Sequence, residues 1–497
     1  MLGAMQTPTI IALALYFVLM LAIGVYAWKR SGDDSEGYLL GGRNLHPAVA
    51  ALSAGASDMS GWLLLGLPGA LYASGLVEAW IGIGLFAGAL VNWFVVAPRL
   101  RQQSVDYGNA LTIPAFLANR FPDKATALRV VSAIIIVVFF AVYSAASLVA
   151  GGKLFESTFL DGTIMGLSPY MAGVLLTALV VLAYTAIGGF LAVSLTDFVQ
   201  GIIMVTALVI MPLVILYGDG GGGISQMRET LAGVDPEFLG MFGGLTVIGF
   251  LSAVTWGLGY FGQPHIIVRF MAVRAGGVPM ARNIAMTWMG VALVGAIGIG
   301  LAGRAYVERN PGIVLDDPET IFILLANTLF HPFVTGFLLA ALLAAIMSTI
   351  SSQLLVASSS LTEDFYRLFL KKNASEREAV NVGRISTVIV ALAAIVIASD
   401  SNSGVLALVS NAWAGFGAAF GPLIILSLTW SRMTGAGAVA GLVVGAGVVM
   451  AWIALGWNAA FMGGPGVYEI IPGFAAAWLA IWGVSLATGS AARTASL

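Results

Sequence analysis

Nine residues, Ala54-Gly55-Ala56-Ser57-Asp58-Met59-Ser60-Gly61-Trp62, lie inside an apolar run from about residue 47 to residue 73 in which Asp58 is the only charged side chain. A lone carboxylate at membrane depth costs roughly 2.5–3.5 kcal/mol on insertion scales, so its default meaning is functional. Gly55, Ser57, Ser60 and Gly61 around it are poor helix-interior residues. Their small side chains let a helix unwind and turn its carbonyls toward an ion. The chemistry this points to is cation binding in a broken transmembrane helix. The alternative is a polar spot sealed against a neighbouring helix.

A second polar group, Ala344-Ala345-Ile346-Met347-Ser348-Thr349-Ile350-Ser351-Ser352, occurs far along the chain. Ser348 and Thr349 lie roughly 100° apart on a helix, so both hydroxyls reach one side of a bundle. A hard monovalent cation takes about five or six oxygens, and neutral hydroxyls with freed carbonyls supply them without the charge that favours a divalent ion. The carbonyls of Ala56, Met59 and Ala345 with the hydroxyls of Ser348 and Thr349 therefore make a candidate sodium cage. The competing reading is that the hydroxyls bond back to carbonyls of their own helix. In Trp256-Gly257-Leu258-Gly259-Tyr260-Phe261-Gly262-Gln263-Pro264-His265, the i, i+4 pair Trp256 and Tyr260 is expected to stack on one face. Such a wall suits an apolar ring or a cationic amine. Tyr143 adds a phenol at similar depth; an interfacial aromatic belt is the alternative. Asp197 is the other membrane-embedded acid, either on the ion path or in a structural pair. Arg43, after Gly41-Gly42, either gates ion release or only sets topology.

These groups need elements to hold them. The chain has 497 residues, 59% hydrophobic and 9% charged, with net charge −2 and no cysteine, and a mean hydropathy of +0.96. A soluble domain carries about a quarter charged residues, so this is an all-α polytopic membrane protein. There is no basic footprint for nucleic acid, and no thiolate metal site or disulfide. Residues 1–28 lack a basic n-region and a cleavage site and are read as a retained first span.

The uncharged runs draw thirteen spans of about 20 residues or more. They fall at about 8–28, 46–74, 79–98, 127–152, 168–187, 190–217, 240–264, 283–303, 333–361, 381–399, 404–429, 434–456 and 468–489. Gly188-Gly189 separates spans 5 and 6, and a capped short helix at about 318–330 reads as a surface lid. With the N-terminus outside and the C-terminus cytoplasmic, 18 of the 22 Lys and Arg fall on the inner side, as the positive-inside rule requires. Paired Gly/Pro-interrupted segments are the sequence pointer to a transporter's site. Spans 2 and 7 are such a pair, five spans apart, and an odd number of spans per repeat inverts the second repeat. The expected organisation is 1–45 peripheral span 1, 46–217 repeat 1, 218–239 outer loop, 240–430 repeat 2 and 431–497 peripheral spans 12 and 13.

The chain resembles the sodium/solute symporter family, and its proline branch in particular. The resemblance is carried by Gly41-Gly42-Arg43, the run from Ala51 to Gly69 with Ser-Asp-Met-Ser-Gly-Trp, Gly188 through Asp197, Trp256 to His265, Ala344 to Ser352, and Trp413 to Pro422. It implies a leucine-transporter-like inverted-repeat fold with a discontinuous first helix in each repeat. It also implies sodium at Ala56, Met59, Ala345, Ser348 and Thr349, with Asp58 governing sodium dependence. Ser60 and Gly61 would serve ion and substrate jointly, Tyr143, Trp256, Tyr260 and Pro264 would bind proline, and Arg43 and Asp197 would tune sodium affinity and coupling. The expected activity is sodium-coupled uptake of L-proline across the inner membrane of a bacterium, with sodium as the co-transported ion and no enzymatic chemistry. Rivals are symport of another small amino acid or carboxylate, a channel, and an intramembrane hydrolase using Asp58 and Asp197. The hydrolase suffers because His46, His265 and His331 all read as lying at span ends.

Overall fold

The computed structural model describes residues 7–28, 40–158, 166–218, 221–371 and 373–494. Lys29, Arg30 and Lys372 among the inner charges lie outside the described residues, and the backbone helix Pro169–Tyr217 runs through the break expected at Gly188-Gly189. The described elements are helices joined by turns and loops, with a two-residue antiparallel hairpin pairing Ala460–Phe461 with Gly464–Pro465. Among the described residues, nine helices are long and apolar enough to cross a membrane, or ten if one bent pair counts as a single span. Shorter apolar helices lie at Pro169–Leu182, Val247–Gly262, Pro318–Leu329 and Asn381–Ile397.

The bent pair is the broken segment expected in span 2. Pro47–Asp58 and Trp62–Ser74 meet at 63°. The first half starts on a rigid Pro at the first turn with the His46 ring capping the Ala48 N–H. It stops where Met59 leaves helical geometry at φ −82° and ψ 75°. The second half opens with a π-type turn, Trp62–Gly66, the loosened winding that recurs at functional sites.

Span 7 differs from its expected limits. Residues 240–246 are turns and bends. The helix starts at Val247, tightens to a 3-10 segment over Thr255–Gly262, and resumes as Pro264–Ala272. Pro264 was read as the end of the span, but a proline at the first helical turn begins a helix as readily as it ends one. Arg269, counted with the inner loops, is consequently only 1% exposed inside the bundle. His265, read as lying at a span end, is likewise fully buried.

Spans 3, 6, 8, 9 and 11 pack against these two broken spans. Span 9 runs from Pro332 to Ser359 and continues as a π-type stretch to Leu370. Its Ala344–Ser352 section is entirely buried. The short helix after Asp317 forms as Ile321–Leu329, but Ile321, Phe322, Ile323, Leu325 and Ala326 are buried, so it is docked rather than lying on the surface. Lys153 Nζ ties it down, 2.7 Å from both Asp317 Oδ2 and Glu319 Oε2. Glu319 in turn accepts the Val405 and Leu406 N–H groups at 2.9 and 3.0 Å, capping the start of span 11.

Candidate ion and substrate site

The site begins where span 2 stops being a helix. Loss of helical geometry at Met59 releases the Asp58 carbonyl from its own ladder, and other elements take it up. It accepts the Ser60 N–H at 2.9 Å, the Trp62 indole N–H at 3.1 Å and the Tyr143 hydroxyl at 3.1 Å. The Asp58 side chain turns to span 7, where Oδ2 accepts the Tyr260 hydroxyl. Oδ1 is buried and has no partner among the described residues. Ser60 Oγ accepts the Trp62 N–H at 3.5 Å. Gly61 lets this corner sit against span 4: a Cβ there would stand 2.7 Å from the Ala150 methyl.

On another side of the same helix end, Ser348 donates to the Ala56 carbonyl at 2.7 Å and to the Ala345 carbonyl at 3.2 Å. Three of the five expected cage oxygens therefore converge between spans 2 and 9. Thr349 Oγ1 beside them is fully buried with no partner among the described residues. Buried hydroxyls are normally satisfied, so this orphan suits a site that takes a cation. The alternative in which both hydroxyls only bond back along their own helix fails for Ser348, whose shorter bond crosses to Ala56.

One helical turn further along both helices lies a buried ion pair. Arg269 Nη2 is 3.0 Å from Asp197 Oδ2. Ser53 Oγ donates to the same carboxylate oxygen at 2.8 Å and accepts from Arg269 Nε at 2.8 Å. Ser352 accepts from Arg269 Nη2 at 2.6 Å, and Arg269 also holds the His265 carbonyl. The pair joins spans 2, 6, 7 and 9, the helices of the cage and the two breaks. Of its members only Asp197 was singled out from sequence.

Arg43 is buried below, donating to Ser104 Oγ at 2.9 Å, to the Met271 carbonyl at 3.2 Å and to the Ala110 carbonyl. Gly41, Gly42 and Arg43 run consecutively through left-handed geometry at φ 59°, 67° and 50°. Glycine adopts this freely and arginine only at a cost. Arg43 thus fastens the loop before span 2 to the end of the span 7 helix.

The aromatic residues do not form one wall. With 3-10 winding over Thr255–Gly262, positions i and i+4 no longer share a face. Trp256 stacks on Tyr468 at 5.2 Å, while Tyr260 meets Trp413 edge-on at 5.0 Å. Tyr143 and Tyr260 both reach Asp58. Pro264 lines a different, largely apolar cavity of about 30 Å³ with Thr112, Phe190, Val268, Ser359 and Ser360. His265 contacts the Phe140 and Tyr143 rings at 5.4 and 5.7 Å, and both its ring nitrogens lack a hydrogen-bond partner among the described residues.

The family sequence model that matches this chain is that of the sodium:solute symporter family, over residues 38–445. The chain belongs to the sodium:solute symporter family. Among relatives of this symporter, the high-affinity proline transporter PutP of Bacillus subtilis (strain 168) is 52% identical over 472 residues, covering 94% of this chain and 96% of that protein. The sodium/proline symporter of Staphylococcus aureus (strain JH9) is 50% identical over 491 residues, covering 97% and 93%. A solved structure of a Na+-coupled sialic acid symporter, in a substrate-bound outward-open state, superimposes with a TM-score of 0.80 at 20% identity, covering 97% of this chain and 98% of that one. At that identity the likeness speaks for the shared fold. The chain is a multi-pass membrane symporter and not an enzyme.

Proposed function

We propose that this symporter couples inward sodium movement to uptake of L-proline by alternating access. Sodium is held by the Ala56, Met59 and Ala345 carbonyls and the Ser348 and Thr349 hydroxyls. Asp58 sets sodium dependence. Proline is recognised by Ser60, Gly61, Tyr143, Trp256, Tyr260 and Pro264, and Asp197 and Arg43 tune coupling. The observation that carries the reading is the Ser348 hydroxyl crossing 2.7 Å to the Ala56 carbonyl at the broken end of span 2. It ties the two elements that must move for an ion to enter or leave. Identities of 50% and 52% to proteins named for proline transport favour proline over another amino acid or carboxylate.

The architecture belongs to the same proposal. The 49 helical residues Pro169–Tyr217 would make a rod of about 74 Å, more than two bilayer cores. They supply spans 5 and 6, and with the shorter helices at Val247–Gly262 and Asn381–Ile397 the count reaches thirteen. Spans 2–6 (46–217) and 7–11 (240–430) form the inverted repeats, and 1–45 and 431–497 are peripheral, with 218–239 an outer loop. The N-terminus lies outside and the C-terminus in the cytoplasm, in the inner membrane of a bacterium.

A proline zwitterion carries no net charge, so sodium brings the transported charge. Sodium bound at the cage stabilises the arrangement that accepts proline, and binding of both favours closure. Labelled-proline uptake by proteoliposomes tests this. Saturable uptake in sodium that disappears in choline, is blocked by unlabelled proline and is unaffected by other amino acids is expected. Uptake unchanged without sodium, or in Asp58→Ala, overturns it.

A further inference from the structure

Asn92 lies in the middle of span 3, in the apolar run Gly82–Val96, and is only 1% exposed. An amide there must be bonded or it costs free energy. Half of it is satisfied: Nδ2 donates to the Tyr260 carbonyl at 2.9 Å. Because a carbonyl can only accept, this bond fixes which way the amide faces, and the other end, Oδ1, is buried with no partner among the described residues. Asp58, whose Oδ1 is likewise buried without a partner among the described residues, lines the same cavity as Asn92, together with Gly55, Met59, Tyr260 and Met289. The cavity, with about 20 Å³ of room for a water-sized occupant, is otherwise walled mainly by apolar and thioether side chains.

We infer that Asn92 Oδ1 and Asp58 Oδ1 form an acceptor pair for a monovalent cationic group, making span 3 part of the binding site. Two unsatisfied acceptors, one of them charged, call for a donor or a positive charge and repel an anion. A single carboxylate with a neutral amide balances one positive charge, not two. The group is either a sodium ion or the protonated amine of the substrate, which share this chemistry. The pocket adjoins the Ala56–Ser348 cage at Met59 but faces other elements: the Ala56 carbonyl faces span 9, whereas the Asp58 carboxyl faces spans 3, 7 and 8. Asp58 therefore acts on the far side of the break from that cage. Through the Tyr260 carbonyl, the same amide also senses the 3-10 segment of span 7.

The inference rests on the sodium/proline reading, and the test separates the two. Full-length wild type, Asn92→Leu and Asn92→Asp are reconstituted, checked for equal folded yield, and assayed for uptake KM and for sodium-22 binding without proline. Leucine removes donor and acceptor; aspartate keeps an acceptor, adds a negative charge beside Asp58 and loses the tie to Tyr260. Asn92→Leu is expected to weaken one apparent affinity about 10-fold or more, the scale of a bond to a charged group, while Asn92→Asp retains or tightens it. If sodium-22 binding falls with it, the occupant is the ion. If sodium binding holds, the proline KM rises and cyclopentanecarboxylate competes as well as proline, the occupant is the amine. Equal losses in the two variants mean that Asn92 only props Tyr260, and that overturns the inference. So do two variants indistinguishable from a transporting wild type. A wild type without sodium-driven proline uptake overturns the functional reading instead, and the sodium-22 comparison still decides whether the acceptor pair exists.

Discussion

Ser348 spends its hydroxyl on a carbonyl in another helix, 2.7 Å away on Ala56, and that choice sets what its removal does. In the proposed cage, Ser348→Ala loses a sodium ligand and the cross-helix bond together. At about 1.5–3 kcal/mol for a contact to a charged group, its sodium KM rises roughly 10- to 100-fold, read from uptake at varied sodium and fixed proline. The Asp197–Arg269 pair makes a different prediction. Removing one partner of a buried pair leaves an uncompensated charge and costs about 3–5 kcal/mol. Asp197→Asn is therefore expected to unfold at lower temperature in detergent, and Asp197→Asn with Arg269→Gln to recover part of the loss. Additive losses in the double variant would show that the two charges do not depend on each other. Asp58, Ser348 and Asp197 were legible because each is polar where its neighbours are apolar. Asn92 carries the same signal in span 3, a lone amide in an apolar run. Arg269 was hidden because a charge five residues beyond a proline reads as loop.

At the scale of elements, both breaks were visible as clusters of glycine, serine and proline, but their internal geometry was not. The choice between α and 3-10 winding over Thr255–Gly262 is made by packing against spans 3 and 11, which sequence periodicity does not report. This is why Trp256 and Tyr260 part company and find Tyr468 and Trp413 instead. Span 2 shows the same dependence on close packing. Gly61→Ala drives a methyl to 2.7 Å from Ala150, pushing span 4 away from the corner that Tyr143 bonds. Proline transport is expected to be lost with the protein still inserted, and Gly61→Ala with Ala150→Gly to regain part of it; a double variant as inactive as the single would place the defect elsewhere. Away from the break, the Lys153 ammonium is wedged between Asp317 and Glu319. Lys153→Met leaves two carboxylates facing each other over the start of span 11. A loss of about 1.5–3 kcal/mol is expected from its lost charged bonds, seen as a lower melting midpoint, and a midpoint equal to wild type would deny the clasp a structural role. The short helix was predicted in the right place, but its docking depends on this contact across the fold.

Over the whole molecule, class and family were plain from composition and motifs spread along the chain, because a membrane leaves so few places for a charge. What joins the parts is energetic. Each sodium carried inward down about 100 mV releases roughly 2.3 kcal/mol. In the proposed mechanism the broken helices convert that into a preference for which side is open. The most direct measurement is proline accumulation in proteoliposomes with equal sodium inside and out and an imposed inside-negative potential of about 100 mV. The account predicts sodium-dependent accumulation approaching roughly 50-fold for one charge per cycle, collapsing when the potential is dissipated and reaching that level only at much higher sodium in Ser348→Ala. Accumulation indifferent to sodium or to the potential would contradict it.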